Sequence, residues 1–215
     1  MQRVYIYRKY VRLWHWVQAG SILALIISGL MIHFPAATGA FSLHPAVNAH
    51  HLAAAVLLLN GLLGLFFYIT TGEIRQLSIQ LRGMLESAVA QARYYTQGIF
   101  KGAPYPFEKT PARRLNPLQR ITYIAVMFFL LPLQVVSGSL LWLGGHQYIA
   151  LPPELTLTGL SLAHTLAAWL FCSFLLMHIY LTTTGRTPLA NIQAMVTGWE
   201  ENGHAPGQKG GHADG

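Results

Sequence analysis

The stretch SLAHTLAAWLFCSFLLMHIYLTTTG, residues 161–185, carries two histidines and no Lys, Arg, Asp or Glu. An apolar run of this length can cross the hydrocarbon core of a bilayer as a helix. His164 and His178 are fourteen residues apart. That is about four helical turns, so the rings share one face and lie about 21 Å apart along the axis. Because ionisable side chains are costly inside a membrane, the two histidines indicate a function.

The rest of the chain is also poor in charge. Its 215 residues are 53% hydrophobic and 10% charged, whereas soluble domains contain about 25% charged residues. Long uncharged segments, broken by Pro- and Gly-rich stretches, predict an all-α integral membrane protein with a bundle of four transmembrane helices. The expected spans are about 13–34, 48–70, 118–143 and 157–183. Residues 1–200 would form this domain.

The basic residues are confined to one side of the predicted spans. The net charge of +7 therefore does not indicate nucleic acid as a partner, because the basic residues flank membrane helices. They precede the first span, occupy the loop 71–117 and the cytoplasmic start of the third span, and follow the fourth span: Arg3, Arg8, Lys9, Arg12, Arg75, Arg82, Arg93, Lys101, Lys109, Arg113, Arg114, Arg120, Arg186 and Lys209. This pattern predicts cytoplasmic termini and a cytoplasmic middle loop, in a bacterial inner membrane.

The middle loop contains a segment with helical periodicity. Apolar residues recur near helical spacing in EIRQLSIQLRGMLESAVAQARYY, residues 73–95. The pattern predicts an amphipathic helix at the cytoplasmic membrane interface, and a soluble helix packed on the ends of the spans is the alternative. Residues 201–215 are polar and Gly-rich, which predicts a disordered tail.

The intramembrane histidines fall into two groups by depth. His15 is near the cytoplasmic end of the first span, at the depth of His178, and His50 and His51 are near the outer end of the second span, at the depth of His164. Each pair could be neutral rings that join helices by hydrogen bonds. Each could also ligate a haem iron at both axial positions, which leaves no site for substrate but permits one-electron transfer. A zinc site, which gathers its ligands at one point, fits two separated pairs less well.

A weak internal repeat distinguishes His50 from His51. The segments YITTG and YLTTTG end at Gly72 and Gly185, and the residues 21 positions before these glycines are His51 and His164. The dipeptide SG also recurs, at 28–29 and 137–138. Its glycines could accommodate a flat macrocycle or allow close approach of two helices. The repeat favours His51, and it predicts that His51→Ala loses one haem whereas His50→Ala keeps both.

These motifs, taken together and in this order, resemble the four-helix di-haem cytochrome b superfamily. The segments that carry the resemblance are RLWHW at 12–16, AHHLAAAV at 49–56 and the fourteen-residue spacing in the fourth span. The superfamily includes the b-type membrane subunits of nickel–iron hydrogenases, formate dehydrogenases and thiosulfate reductases, and the bacterial b561 proteins. The resemblance implies two haem b groups, an outer one held by His51 and His164 and an inner one held by His15 and His178. Arg12 would meet a haem propionate, or would only anchor the helix at the interface.

A second resemblance concerns quinone. The segment RRLNPLQRITY, residues 113–123, is similar to the Asn-x-x-Gln segment of formate dehydrogenase membrane subunits. That likeness implies that Asn116 and Gln119 hydrogen-bond a carbonyl of menaquinone or ubiquinone. The same residues also form a good helix start, with Asn as the N-cap, Pro at the first position and Gln at the third.

The resemblance implies an electron-transfer subunit of a respiratory oxidoreductase, acting as a quinone reductase or quinol oxidase module. It would exchange electrons between quinone and a periplasmic iron–sulfur or cytochrome subunit that serves a catalytic subunit. One alternative is a stand-alone b561-type quinone oxidoreductase that uses, for example, superoxide. Another, less favoured, is a haem-free transporter or metal-binding membrane protein.

Overall fold

The four predicted membrane helices are present. A computed structural model describes residues 2–39, 42–77, 83–103, 106, 115–185 and 187–202. In this part of the chain, four helices are long and apolar enough to cross a membrane: Lys9–His33, His44–Thr70, Pro117–Gly145 and Leu157–Thr182. The first two begin four residues before the predicted bounds. The tail expected at 201–215 lies almost wholly outside the described residues.

The chain divides into two compact units. Unit 1 comprises Met1–Arg75 and Gly185–Gly203, and the described part of unit 2 falls within Gln76–Thr184. Each unit contains two of the four membrane helices, packed against each other.

Unit 1 is built on the helices α1 (Lys9–His33) and α3 (His44–Thr70), with the short helix α2 (Pro35–Thr38) between them. Pro45 occupies the first turn of α3, where its missing N–H costs nothing. The strand β1 (Gln2–Tyr5) pairs in antiparallel fashion with β2 (Trp199–Asn202), placed so that Val4 faces Glu200. The helix α8 (Ala190–Thr197) leads into β2. The N-terminal and C-terminal segments of unit 1 are therefore joined.

Unit 2 contains α4 (Met84–Arg93), α5 (Pro117–Ala125), α6 (Leu131–Gly145) and α7 (Leu157–Thr182). A π-helical turn, Val126–Leu130, joins α5 to α6 and makes them one membrane span. Pro132 lies two residues after the end of this turn. Proline lacks an N–H and its ring clashes with the carbonyl four residues earlier, and a wider π turn is a common way to relieve that conflict within a helix.

The helix predicted in the middle loop is shorter than the periodicity indicates. A 3₁₀ helix covers Glu73–Leu77, residues 78–82 lie outside the described part, and α4 begins only at Met84. Gly83 stands at φ +72°, a left-handed conformation that cannot continue an α-helix. A π turn at Tyr94–Gly98 and a 3₁₀ turn at Ile99–Lys101 follow α4.

Candidate metal-ligating histidines

His164, on α7 of unit 2, lies against a serine and a glycine of α6. The imidazole Nδ1 is 3.0 Å from the Ser137 hydroxyl and the imidazole Nε2 is 3.1 Å from the Gln134 amide nitrogen. The Cε1 atom of the ring lies against Gly138, where an added Cβ would be only 2.9 Å away. The glycine is therefore needed for the ring to take this position.

His50, on α3 of unit 1, has the corresponding surroundings. Its Nδ1 is 2.9 Å from the hydroxyl of Ser28 on α1, and its Cε1 lies 3.6 Å from the position of a Cβ on Gly29. His51 is exposed. The Ser-Gly dipeptide thus has the same structural role in both units, and its partner in unit 1 is His50. The repeat noticed in the sequence favoured His51, whereas the serine and the glycine of this dipeptide contact His50.

The hydrogen bonds of the two serines bear on which ring nitrogen carries the proton. Ser28 donates its hydroxyl proton to the carbonyl of Ala24 at 2.7 Å, and Ser137 donates to the carbonyl of Leu133 at 2.6 Å. A hydroxyl has one proton, so with that proton on the carbonyl the contact with each ring is a bond from Nδ1–H to the serine oxygen. A neutral imidazole with its proton on Nδ1 presents a lone pair at Nε2. In His164 that lone pair accepts from the Gln134 amide.

The inner histidine of unit 1, His15, follows a tryptophan that is clamped to α3. The Trp14 indole N–H donates to the carbonyl of Asn60 at 3.0 Å, and the Asn60 amide donates back to the Trp14 carbonyl at 3.0 Å and to Gln18 Oε1 at 2.7 Å. Paired hydrogen bonds of this kind hold helices together where no water competes. They fix the turn of α1 that carries His15.

Two other residues of the RLWHW segment hold α8. Arg12 donates from its guanidinium to the carbonyl of Val196, and the Trp16 indole N–H donates to the carbonyl of Met195 at 3.3 Å. The last carbonyls of a helix lack intrahelical partners and carry partial negative charge, which favours such donors. The Arg12 Nε is buried and has no hydrogen-bond partner among the described residues. The sequence analysis did not anticipate the contact of Arg12 with α8.

The inner histidine of unit 2, His178, stacks on Phe174 one turn earlier in α7. The ring centroids are 5.9 Å apart with planes 23° from parallel, and Phe174 in turn meets Tyr123 of α5 edge-on at 6.3 Å. Stacking restricts rotation of the imidazole about its Cβ–Cγ bond. His178 is therefore held by aromatic packing, a different arrangement from the serine contacts of His50 and His164.

The residues considered for quinone form the start of α5. Asn116 Oδ1 accepts from the backbone N–H of Gln119 at 2.8 Å, and Gln119 Oε1 accepts from the backbone N–H of Asn116 at 3.1 Å. The Asn116 amide also donates to the Tyr95 hydroxyl at 3.0 Å, and Asn116 is only 1% exposed. Both ends of the Asn116 side chain are thus used in a capping box and a tertiary hydrogen bond.

Comparison of the sequence with known families gives a match for residues 6–198, nearly the whole chain, to the family described as prokaryotic cytochrome b561. The chain belongs to the prokaryotic cytochrome b561 family. It is accordingly an electron-transfer protein that crosses the membrane several times, and haem b is its cofactor. The bacterial b561-like resemblance found in the sequence is confirmed.

Individual b561-family relatives cover most of the chain. The Escherichia coli K12 protein named cytochrome YdhU is 36% identical over 94% of this chain and 76% of its own length. A Cupriavidus necator H16 protein named as a nickel–iron hydrogenase B-type cytochrome subunit is 26% identical over 84% of this chain and 79% of its own length. A protein of the same name from Azotobacter vinelandii is 27% identical over 91% and 88%. No solved structure matches the chain at comparable significance.

The residues of this b561-family chain fit haem b in two respects. With the proton on Nδ1, His50 and His164 present Nε2 as the lone-pair donor, which is the form of imidazole that binds a metal. Arg12 presents a buried Nε with no hydrogen-bond partner among the described residues, which suits a carboxylate such as a propionate. Iron at Nε2 of His164 would take the place of the Gln134 amide. The Oε1 of that amide has no partner in the described chain, so little holds the side chain there.

Sequence reasoning missed the serines, Asn60 and the aromatic partner of His178. The serines had a signal, because both precede the noted glycines in the SG repeat, but their hydroxyls were not considered as partners of the histidines. Asn60 had a weaker signal, as the one Asn within the run of apolar residues 52–69.

Proposed function

We propose that this protein is a di-haem subunit that carries electrons across the membrane between an outer redox partner and the quinone pool. His15 and His178 ligate the inner haem, and His50 and His164 ligate the outer haem. The observation that carries the proposal is the matched contact of Ser28 with His50 and of Ser137 with His164. In both units a histidine has its Nδ1 at a serine hydroxyl and its Cε1 against the glycine that follows that serine.

The pairing rests on the position of each histidine within its own helix. His15 lies six residues after the start of α1, and His178 lies four residues before the end of α7. His50 lies six residues after the start of α3, and His164 seven after the start of α7. Since successive spans cross the membrane in opposite directions, these positions correspond to two depths, one near each surface.

His50 takes the place of His51 in this proposal. An axial ligand is usually oriented by a second hydrogen bond from its other ring nitrogen. The Ser28 hydroxyl supplies that bond to His50, whereas His51 is exposed.

Haem b with two axial imidazoles supplies one-electron transfer and no open coordination position. The chain contributes orientation and charge. Ser28 and Ser137 orient the outer ligands, Trp14 and Phe174 fix the segments that carry the inner ones, and Arg12 offers an N–H to a propionate.

The outer partner is proposed from the relatives. Proteins named as nickel–iron hydrogenase B-type cytochrome subunits match this chain over most of its length. We infer a periplasmic partner with an iron–sulfur or cytochrome subunit and a catalytic subunit, and orientation with both termini in the cytoplasm, which the distribution of basic residues supports. Menaquinone or ubiquinone would exchange electrons near the inner haem. Asn116 and Gln119 are assigned to helix capping in this proposal.

The haem content of single variants tests the ligand set. Full-length protein would be purified in detergent, and haem per chain would be measured by the pyridine haemochrome assay beside protein quantitation. We expect two haems in the unaltered chain and one in each of His15→Ala, His50→Ala, His164→Ala and His178→Ala. His51→Ala is the matched control and should keep both. Loss of a haem in His51→Ala but not in His50→Ala would reverse the outer assignment, and a chain without haem under all growth conditions would refute the function.

A further inference from the structure

We propose that Ser28 and Ser137 are positioning residues that make the two outer histidines stronger ligands and thereby lower the reduction potential of the outer haem. The inference rests on the proposed function, since it assumes that His50 and His164 ligate iron. It assigns a role to two residues that would otherwise count as small residues at a helix contact.

The geometry is the same at both sites. Each serine is almost fully buried, at 3% exposed for Ser28 and 2% for Ser137. Each reaches across to a histidine on the neighbouring helix of its own unit, at 2.9 Å and 3.0 Å. Each also gives its own proton to the carbonyl one turn earlier. The result is a two-step chain, from Nδ1–H to hydroxyl oxygen and from hydroxyl to backbone carbonyl.

This chain of bonds increases the electron density on the ring. A hydroxyl that donates to a carbonyl is a better acceptor, because linked hydrogen bonds polarise one another. A bond accepted from Nδ1–H raises the basicity of the imidazole at Nε2. A more basic axial ligand stabilises ferric iron relative to ferrous iron, so the reduction potential falls. With one serine on each of its two ligands, the outer haem would receive this effect twice.

A buried serine that donates to a carbonyl of its own helix does not necessarily contact a histidine. Ser21 on α1 is also buried, at 7% exposed, and donates to the carbonyl of Val17 at 2.9 Å. It meets no histidine in any hydrogen bond described here. Ser21 therefore serves as a control for the local effect of removing a buried, back-bonded serine from the same helix.

The test combines redox titration with substitution of the hydroxyl. The unaltered protein, Ser28→Ala, Ser137→Ala, the double alanine variant and Ser21→Ala would be purified with haem and titrated by optical potentiometry. We expect the midpoint potential of one haem to become more positive in each single variant and still more positive in the double variant. The other haem should not shift, and Ser21→Ala should shift neither. Ser28→Thr and Ser137→Thr keep the hydroxyl and should keep the original potential.

A second readout does not depend on the potential. In protein labelled with ¹⁵N-histidine and reduced to the diamagnetic state, His50 and His164 should each show an Nδ1–H correlation whose proton shift moves when the facing serine becomes alanine. Unchanged potentials in the alanine variants, or the same shift in the threonine variants, would overturn the assignment. So would loss of the outer haem in both the alanine and the threonine variants. If the unaltered chain holds no haem, the proposed function fails, and the ¹⁵N shifts still report whether the serines keep the proton on Nδ1.

Discussion

A single glycine of α3, Gly64, lies directly against the Trp14 indole of α1. A Cβ added to Gly64 would lie 2.1 Å from the Trp14 indole nitrogen and 2.7 Å from Cε2. The indole can take this place only because Gly64 has no side chain, and its N–H then reaches the carbonyl of Asn60. The position of Trp14, the residue before His15, thus depends on the absence of a Cβ at Gly64.

We expect Gly64→Ala to destabilise the protein by about 1–3 kcal/mol, since the whole indole would have to move. Loss of the Trp14–Asn60 hydrogen bond would add about 0.5–1.5 kcal/mol. Gly61→Ala on the same helix is the matched control, because its Cβ would meet only Gln18 Nε2, at an ordinary 3.8 Å. That variant should be unchanged or slightly more stable, since alanine is the better helix former. Thermal unfolding in detergent distinguishes them, and equal melting temperatures would contradict this account.

At the scale of the element, the start of α5 shows how local sequence and tertiary packing coincide. The capping box between Asn116 and Gln119 satisfies two backbone N–H groups that the helix cannot satisfy itself. The same Asn116 holds Tyr95 from the π turn after α4. Tyr95 is also bound through its carbonyl by the Tyr180 hydroxyl at 3.4 Å. The middle loop is thereby attached to the ends of two membrane helices of unit 2.

Asn116→Ala should cost about 1–2 kcal/mol, because it removes the cap and the donor to Tyr95 together. Asn116→Ser retains a capping oxygen, and Tyr95→Phe retains the whole cap. Each should therefore lower the free energy of unfolding by less than Asn116→Ala does. If Asn116 has only a structural role, a soluble quinol should reduce the haem of the Asn116→Ser protein at the same rate as the haem of the unaltered protein. A stable Asn116→Ser protein that no longer reacts with quinol would instead assign Asn116 to the quinone site.

The elements were largely predictable, because the long uncharged runs that define them are a property of composition alone. The residues at which these helices begin and end were less predictable. The start of α4 depends on the left-handed Gly83, and the third span contains a π turn that apolar periodicity does not reveal. The choice between His50 and His51 could not be made from spacing. Adjacent residues on a helix differ in direction by about 100°, and only the packing of α3 on α1 shows which one meets Ser28.

At the scale of the whole molecule, the pairing of β1 with β2 places both ends of the described chain together. In a Cys172→Ser background, Val4→Cys with Glu200→Cys should form a disulfide in oxidised membranes, because the two positions face each other across the strands. Val4→Cys with Trp199→Cys is the control, since neighbouring residues of a strand point to opposite faces. Gel mobility without reductant measures the result. Equal crosslinking of both pairs would contradict the register.

The division of the chain between the units has a consequence for biosynthesis. Unit 1 is assembled from Met1–Arg75 and Gly185–Gly203, whereas the described part of unit 2 falls within Gln76–Thr184. On a ribosome the N-terminal portion of unit 1 emerges first, yet Arg12, Trp16 and β1 find their partners only when residues 195–202 have been made. Of the four described membrane helices, the one that carries His15 is therefore synthesised first, and its contacts with α8 form only after the other three have been made. A chain truncated before residue 195 would lack these contacts. Its N-terminal segment would then stay without its C-terminal partners, which distinguishes an incomplete chain from a finished one.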